Sequence, residues 1–307
     1  MNTDLSETLV VGISSRSLFN LEKEEAIHRD EGLEAYRRYQ RQHENDILQP
    51  GTAFYLAKAL LGLNRLCPGH RLVEVIVMSR NSPETGVRVL NSIRSAGLDI
   101  TRSAFTGGEP IAPYMEAFGV DLFLSKNEED VQAVIDSRSA AAALLLDPPE
   151  RANRDTDMVR VAFDADAVLF SEESEMIYKE KGLEAFQENE KKNQNVPLQE
   201  GPHAKFLRTL SRVQACMRSA DGGACPLRIA IVSARSGEAR MRVINTLRGW
   251  DVYVDEAFFL GGIAKDKVLE AFRAHIFFDD QDVHLDGAHK VVASGKVPYP
   301  TGSPLNK

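Results

Sequence analysis

Cysteine is scarce in this chain of 307 residues: Cys67, Cys216 and Cys225 make an odd number, and no CxxC pair occurs. A disulfide framework and a thiolate zinc site are therefore not expected. The seven histidines are scattered without an HExxH, so the common helical zinc motif is absent too. The longest apolar run, residues 140–146, is far short of the roughly 20 residues of a membrane span. Positive charge is not in excess, since 37 Lys and Arg face 45 Asp and Glu for a formal charge of −8. Nucleic acid and anionic membrane are accordingly not expected as partners. The opening MNTDLSETLVVG carries Asp4 and Glu7 and no basic stretch, so a secretory leader is not expected and a cytoplasmic address is.

What is present is an ordinary globular composition, 43% apolar and 27% charged. The length suggests about two domains. The chain also resembles itself. GLEA at 32–35 returns at 182–185, a shift of 150. Further on the shift is 154, and residues 75–126 lie over 229–280 with fourteen identities in 52 ungapped pairs, among them FxGG and EAF in the same order. Unrelated sequences of average composition give about three. The repeat predicts an ancient duplication, with halves at 1–150 and 151–307 joined through the polar DPPERANRDTD.

Hydrophobic patterning outlines the unit. Residues 159–163, 229–232, 252–254 and 275–278 read as short strands, and 237–249 and 265–274 as helices. Met241, Ile244 and Leu247 are the expected inward face of the first of these helices. Strands alternating with helices predict an α/β fold with a parallel sheet covered on both faces. Two longer helical stretches, about 174–193 and 202–219, are separated by Asn195, Pro197 and Gly201, and form an inserted helical layer.

Four polar groups follow the expected strands and turns: Asp164-Ala165-Asp166, Ser233, Lys265 after Gly261-Gly262, and Asp279-Asp280. Ligands of parallel sheets bind beyond the carboxyl ends of the strands, so these groups converge on one edge. The assortment suits phosphoryl transfer. Carboxylates hold Mg²⁺ or act as nucleophile, and a second carboxylate two residues on handles protons. A hydroxyl and an ammonium meet the phosphoryl oxygens. Each piece alone is commonplace; the order DxD, Ser, Lys, DD is specific.

That order resembles the haloacid-dehalogenase-type phosphohydrolases. More narrowly, GISSRSLFNLEKEE, FDADAVLFSEESE, GPHAKFLRTLSRVQ, VSARS, GGIAKDKVL and HIFFDDQDVH resemble the type I cytosolic 5′-nucleotidase family over nearly the whole chain. The resemblance implies two Rossmann-like halves of that phosphohydrolase type and Mg²⁺-dependent hydrolysis of nucleoside 5′-monophosphates through an aspartyl-phosphate. It implies Asp164 as nucleophile and Asp166 as acid/base, with the Asp166 carbonyl on the metal. Ser233 and Lys265 become phosphate ligands, and Asp164, Asp166, Asp279 and Asp280 the metal set, with the choice between the last two open. The segment at about 171–228 becomes a cap over the nucleoside, with Phe186, Asn195, His203, Lys205 and Phe206 as candidates for base contact.

The repeat sets Ser14 against Asp164, Arg16 against Asp166, Ile111 against Lys265, and Ser125 and Lys126 against Asp279 and Asp280; only Ser233 keeps its type, as Ser79. One active half is expected, the second, beside a non-catalytic first. A phosphatase of another small metabolite and a nucleotide-binding regulatory protein are the competing readings. A phospho-signalling receiver fits less well, because its phosphoacceptor follows a later strand than its acidic pair. Association into a homo-oligomer is left open.

Overall fold

A computed structural model describes residues 7–150, 152–220 and 225–306. Asp4 of the opening segment and residues 221–224 of the expected cap lie outside the described residues. The first part of the chain runs β1 (Leu9–Ile13), α1 (Ser15–Leu18), α2 (Glu22–Glu31), α3 (Leu33–Gln42), α4 (Phe54–Gly62), β2 (Val73–Ser79), α5 (Val87–Ser95), β3 (Arg102–Phe105), α6 (Met115–Phe118), β4 (Leu122–Ser125), α7 (Glu128–Ser137) and β5 (Ala141–Leu145). The second runs β6 (Val159–Phe163), a widened π-type turn (Ala165–Leu169), α8 (Glu173–Lys192), α9 (Ala204–Ala220), β7 (Leu227–Ser233), α10 (Ala239–Gly249), β8 (Glu256–Phe259), α11 (Asp266–Phe272), β9 (Ile276–Asp279), α12 (Asp282–Ala288) and β10 (Ser294–Lys296).

One ten-stranded sheet, ordered β3-β2-β1-β4-β5-β10-β9-β6-β7-β8, passes through both parts. Read from either edge inward, the order is third, second, first, fourth, fifth strand. Every pairing is parallel except β5 with β10 at the centre, where Leu145 faces Gly295 and Leu144 faces Lys296. The near-continuous apolar runs LVVGI and LRIAIVS belong to strands covered on both faces. The fold is therefore α/β with a mostly parallel sheet. No described helix is long and apolar enough to cross a membrane.

The helical layers cross the centre. α4 packs on β2 and also on β6, while α9 packs on β1. Leu56 and Leu60 of α4 share one core cluster with Leu207, Leu210 and Val213 of α9. The helical segment at 171–228 thus divides, with α9 on the sheet and α8 packed against α10 and the π-type turn. α8 is broken at Gly182, whose φ of 81° and ψ of −179° match Gly32 between α2 and α3, at 84° and 178°. Only glycine adopts that conformation readily.

Two sequence expectations need correction. Residues 252–254 form a loop, because Asp251 turns left-handed at φ 53° and the Val252 amide returns to the Leu247 carbonyl. The strand starts later, where Glu256 pairs with Ala230. On α10 the buried face is Ala239, Arg242, Val243, Thr246 and Leu247, and Met241 is exposed. The face is displaced because Arg242 is drawn inward by Glu190 at 2.9 Å and by the Val196 carbonyl at 3.0 Å.

His203, just before α9, sits fully buried among Phe163, Phe206 and Phe278, and neither ring nitrogen has a hydrogen-bond partner. Burial lowers its pKa from 6.5 to about 3. Below pH 6.5 the unfolded chain gains a proton that the native cage refuses. Stability tied to neutral His203 is thus full above pH 6.5 and is lost progressively as pH falls toward 3. His203→Leu should flatten that slope. On acidification from pH 6.5 to about 5, the variant should lose roughly 2 kcal/mol less stability than the parent. Urea titrations at several pH values check this, and equal acid-side losses would contradict it.

Candidate functional site

In an open parallel sheet the crevice lies where the strand order turns back, here between β6 and β9. β6 delivers Asp164, whose amide donates to the Phe278 carbonyl of β9 at 2.8 Å. β9 ends in Asp279, followed by Asp280. β8 leads through Gly261-Gly262 to Lys265 at the start of α11. β7 ends in Ser233. Asp164, Ser233, Lys265, Asp279 and Asp280 are all buried. The structure brings Asp164, Lys265, Asp279 and Asp280 into one cluster, while the Ser233 hydroxyl accepts from the Arg235 amide at 3.2 Å.

Lys265 Nζ donates to Asp164 Oδ1 and to Asp279 Oδ2, each at 2.7 Å. Asp279 Oδ1 accepts from the Gln281 amide at 2.9 Å, and His284 Nδ1 lies 3.2 Å from Asp279 Oδ2. Asp280 Oδ2 accepts the Tyr299 hydroxyl, while Asp280 Oδ1 is buried without a partner. One oxygen from each of Asp164, Asp279 and Asp280 lies within 4.8 Å of the others. Three carboxylates against one ammonium leave an excess of two negative charges in a buried place, which matches one divalent cation held by oxygens. The orphaned Asp280 oxygen fits the same reading.

The charge imbalance is visible in the acidities. Burial pushes Asp164 up to about 7, against the pull of Lys265 and with repulsion from Asp279 and Asp166. Burial, with Asp164 and Asp279, pushes Asp280 well above the carboxylate range. Asp279 stays below its ordinary value because Lys265 and His284 outweigh its burial. For Lys265, Asp164 and Asp279 outweigh burial and raise the pKa.

Asp166 lies in the widened turn, and its carboxylate is not part of the three-carboxylate cluster. Arg235 grips it with a two-pronged fork at 2.8 and 2.6 Å. Arg235 is itself buried, donates to Glu190 and to the Ala239 carbonyl, and lies 5.3 Å from the Phe186 ring. Glu190 is completely buried and also takes Arg242 at 2.9 Å and the Ser174 hydroxyl at 3.0 Å. Of the five base-contact candidates, only Phe186 touches this network. His203 and Phe206 are core, and Asn195 and Lys205 are exposed.

Sequence reasoning missed Arg235, Glu190, His284 and Tyr299. Arg235 stood two residues past Ser233 in the same VSARS, so a signal was present. Tyr299 and Glu190 are distant in sequence and carried none.

Fold and site define a class: an α/β protein with a buried acidic cluster, fit for a divalent cation, at the carboxyl edge of a parallel sheet. The chain belongs to the 5′-nucleotidase family, whose sequence model matches residues 1–304. It is 39% identical over 290 residues to cytosolic 5′-nucleotidase 1B of Homo sapiens, which covers 92% of this chain and 47% of that protein. The chain thus spans about half the length of the curated relative it matches. No solved structure gives a significant match.

Glu190 is the hinge of the second network. Glu190→Gln would leave two buried guanidinium groups short of a counter-charge, so unfolding free energy should fall by about 3 kcal/mol or more. Urea denaturation measures this, and an unchanged midpoint would show that the pairs contribute no net stability.

Proposed function

We propose that this chain is a Mg²⁺-dependent 5′-nucleotidase that splits nucleoside 5′-monophosphates into nucleoside and phosphate through an aspartyl-phosphate on Asp164. The observation that carries the reading is the buried Asp164, Asp279 and Asp280 cluster spanned by Lys265, in a chain of this family. The relative's name points to the same activity. A bound Mg²⁺, held by Asp164, Asp279, Asp280 and the Asp166 carbonyl, would neutralise negative charge on the phosphate and keep the carboxylates ionised. Asp164 attacks phosphorus, forming the carboxylate O–P bond as the bond to the nucleoside 5′ oxygen breaks. Asp166, protonated, gives its proton to that oxygen. It then takes a proton from the water that attacks the phosphorus, and Asp164 is released. Ser233 donates to a phosphoryl oxygen, and Lys265 offsets charge on the phosphoryl group and the acids. Because Arg235 holds both oxygens of Asp166, the carboxyl must leave that fork to reach the leaving group.

The reading includes the two halves, 1–150 and 151–307, as duplicated phosphohydrolase-type domains with only the second catalytic. Identical strand order supports it. Equivalent hydrogen bonds support it further. Arg88 and Arg242 reach the Asp46 and Val196 carbonyls, Asn91 and Asn245 reach Glu44 and Gln194, and Ser92 and Thr246 take the Leu48 and Leu198 amides. The paired positions are 150 residues apart on one side of each bond and 154 on the other. The segment at 171–228 is read as the cap, with α8 as its part nearest Asp166. A cytosolic location belongs to the same proposal, supported by the relative's name.

Phosphate release from a panel of nucleoside monophosphates and sugar phosphates, with and without Mg²⁺, tests the reading. Release should need Mg²⁺ and favour nucleotides. Asp164→Asn should abolish it, and undiminished turnover would remove Asp164 from the nucleophile's role. Asp166→Asn should lower kcat by roughly 10²–10⁴-fold. Asp280→Asn should raise the Mg²⁺ concentration needed for half-maximal activity while the folded protein persists in circular dichroism. An unaltered Mg²⁺ requirement would take Asp280 out of the metal set.

A further inference from the structure

The crevice between β1 and β4 is the counterpart of the site between β6 and β9. It holds a cavity of about 140 Å³ lined by Ser14, Ser15, Arg16, Ser79, Ser125 and Lys126, among others. The backbone framing is the same as in the second half. The Ser14 amide donates to the Leu124 carbonyl at 2.9 Å, as Asp164 does to Phe278. The Thr106 amide reaches Ser79 as Leu260 reaches Ser233. The aligned positions differ in charge. Where the second half has four carboxylates and one ammonium, the first has Arg16, Lys126, two serines and the apolar Ile111, and Arg80, Glu24, Glu25 and Asp130 also line the cavity.

Such a set has no use for a divalent cation, which needs anionic oxygen ligands. It suits an anion taken directly, by a guanidinium fork, an ammonium and hydroxyl donors. Two further observations point to a ligand. Ser15 is 2% exposed, lines the cavity, and its Oγ has no hydrogen-bond partner. Glu22, which is not part of the cavity lining, bridges the two cations, at 2.6 Å from Arg16 and 2.9 Å from Lys126, as a carboxylate that an anion would have to displace from them. Glu22 is half-exposed and can swing away. Of the acids that do line the cavity, Glu24 is engaged by Arg88 and Asp130 by Arg80. Glu25 lies 3.6 Å from Arg16, and Asp147 lies 2.7 Å from Lys126 at the exposed surface.

We propose that this cavity binds a phosphate-type oxyanion, free or as the phosphoryl group of a nucleotide, by displacing Glu22, and does not hydrolyse it. A cavity of about 140 Å³ that is open to solvent has room for a phosphoryl group, with any attached nucleoside free to extend outward. Hydrolysis is not expected, because Ser14 and Arg16 stand at the positions aligned with Asp164 and Asp166, and among the described residues the carboxylate cluster fit for a metal lies in the second half. The proposal does not depend on the activity read for the second half.

The test is calorimetric titration of the full chain with inorganic phosphate, pyrophosphate and adenosine monophosphate, in chelator without divalent cations. Under those conditions the acidic cluster of the second half repels anions, so the first-half cavity is read alone. One anion per chain should bind. Arg16→Ala or Lys126→Ala should weaken it at least roughly tenfold, the loss of one charge-assisted hydrogen bond. Glu22→Gln, a change at the surface, should tighten it about twofold to fivefold by removing the internal competitor. Tighter binding of adenosine monophosphate than of phosphate would identify a nucleotide as the source, and equal binding free phosphate. No binding by any of the three anions would overturn the proposal. So would binding that ignores Arg16→Ala, Lys126→Ala and Glu22→Gln, or that is lost in Lys265→Met. Since turnover is not measured, failure here and failure of the nucleotidase reading are separate results.

Discussion

Three buried carboxylates cannot share one crevice unaided, and Lys265 is what allows Asp164, Asp279 and Asp280 to do so. Its ammonium stands 2.7 Å from two of them, at a depth where unpaired charge is expensive. The surrounding fold can be understood as delivery to that ammonium. Adjacent parallel strands bring Asp164 and the Asp279-Asp280 pair side by side, and the Gly261-Gly262 turn releases the chain from β8 so that Lys265 can enter from above. One ammonium is too little for three acids. The raised pKa values of Asp164 and Asp280 express that shortage, and a divalent cation would remove it.

The same strand order carries a different set of charges at the other crevice. β1 to β5 repeat the order of β6 to β10, and the two sets are joined by a single antiparallel pairing at the centre. α4 reaches across to β6 and α9 to β1, so neither set buries its sheet by its own helices alone. This gives the first crevice a structural reason to persist whatever it binds: its strands support the second. With the strands fixed by packing, side chains at and just past the strand ends are free to change charge, since the backbone and not the side chain makes the ladder.

Much of this was legible in the sequence because parallel strands are short apolar runs and functional groups follow them. The strands at 159–163 and around 229–232, and the residues Asp164, Ser233, Lys265, Asp279 and Asp280, were read in that way. What was not legible is tertiary. Glu190 holds Arg235 from 45 residues away, and Arg235 holds Asp166 from 69. Tyr299 reaches Asp280 from a C-terminal segment without any motif. The misplaced strand at 252–254 shows the opposite failure. Its apolar residues are real packing residues, yet they line a helix-ending loop, because backbone hydrogen bonds rather than hydrophobicity decide where pairing begins.

The clearest local difference between the crevices is one residue. After β1 the Phe19 amide returns to the Ser15 carbonyl, four residues back, as in a regular helical turn. After β6 the Phe170 amide returns to Ala165, five residues back. The shift between the halves accordingly changes from 150 to 151 within this turn. The added residue swells the turn into its π-type form, with Asp166 extended at φ −75° and ψ 141° and Ala167 left-handed at φ 57°. A left-handed alanine costs about 1–2 kcal/mol, and a disruption of this kind inside a helical turn is frequent at functional sites. Here the strain has a visible return. The swollen turn carries Asp166 out of the helical path and into the Arg235 fork, whereas Arg16 in the regular turn is half-buried and pairs with Glu22. A one-residue difference in the turn therefore separates a carboxylate forked by Arg235 from a cation paired with Glu22.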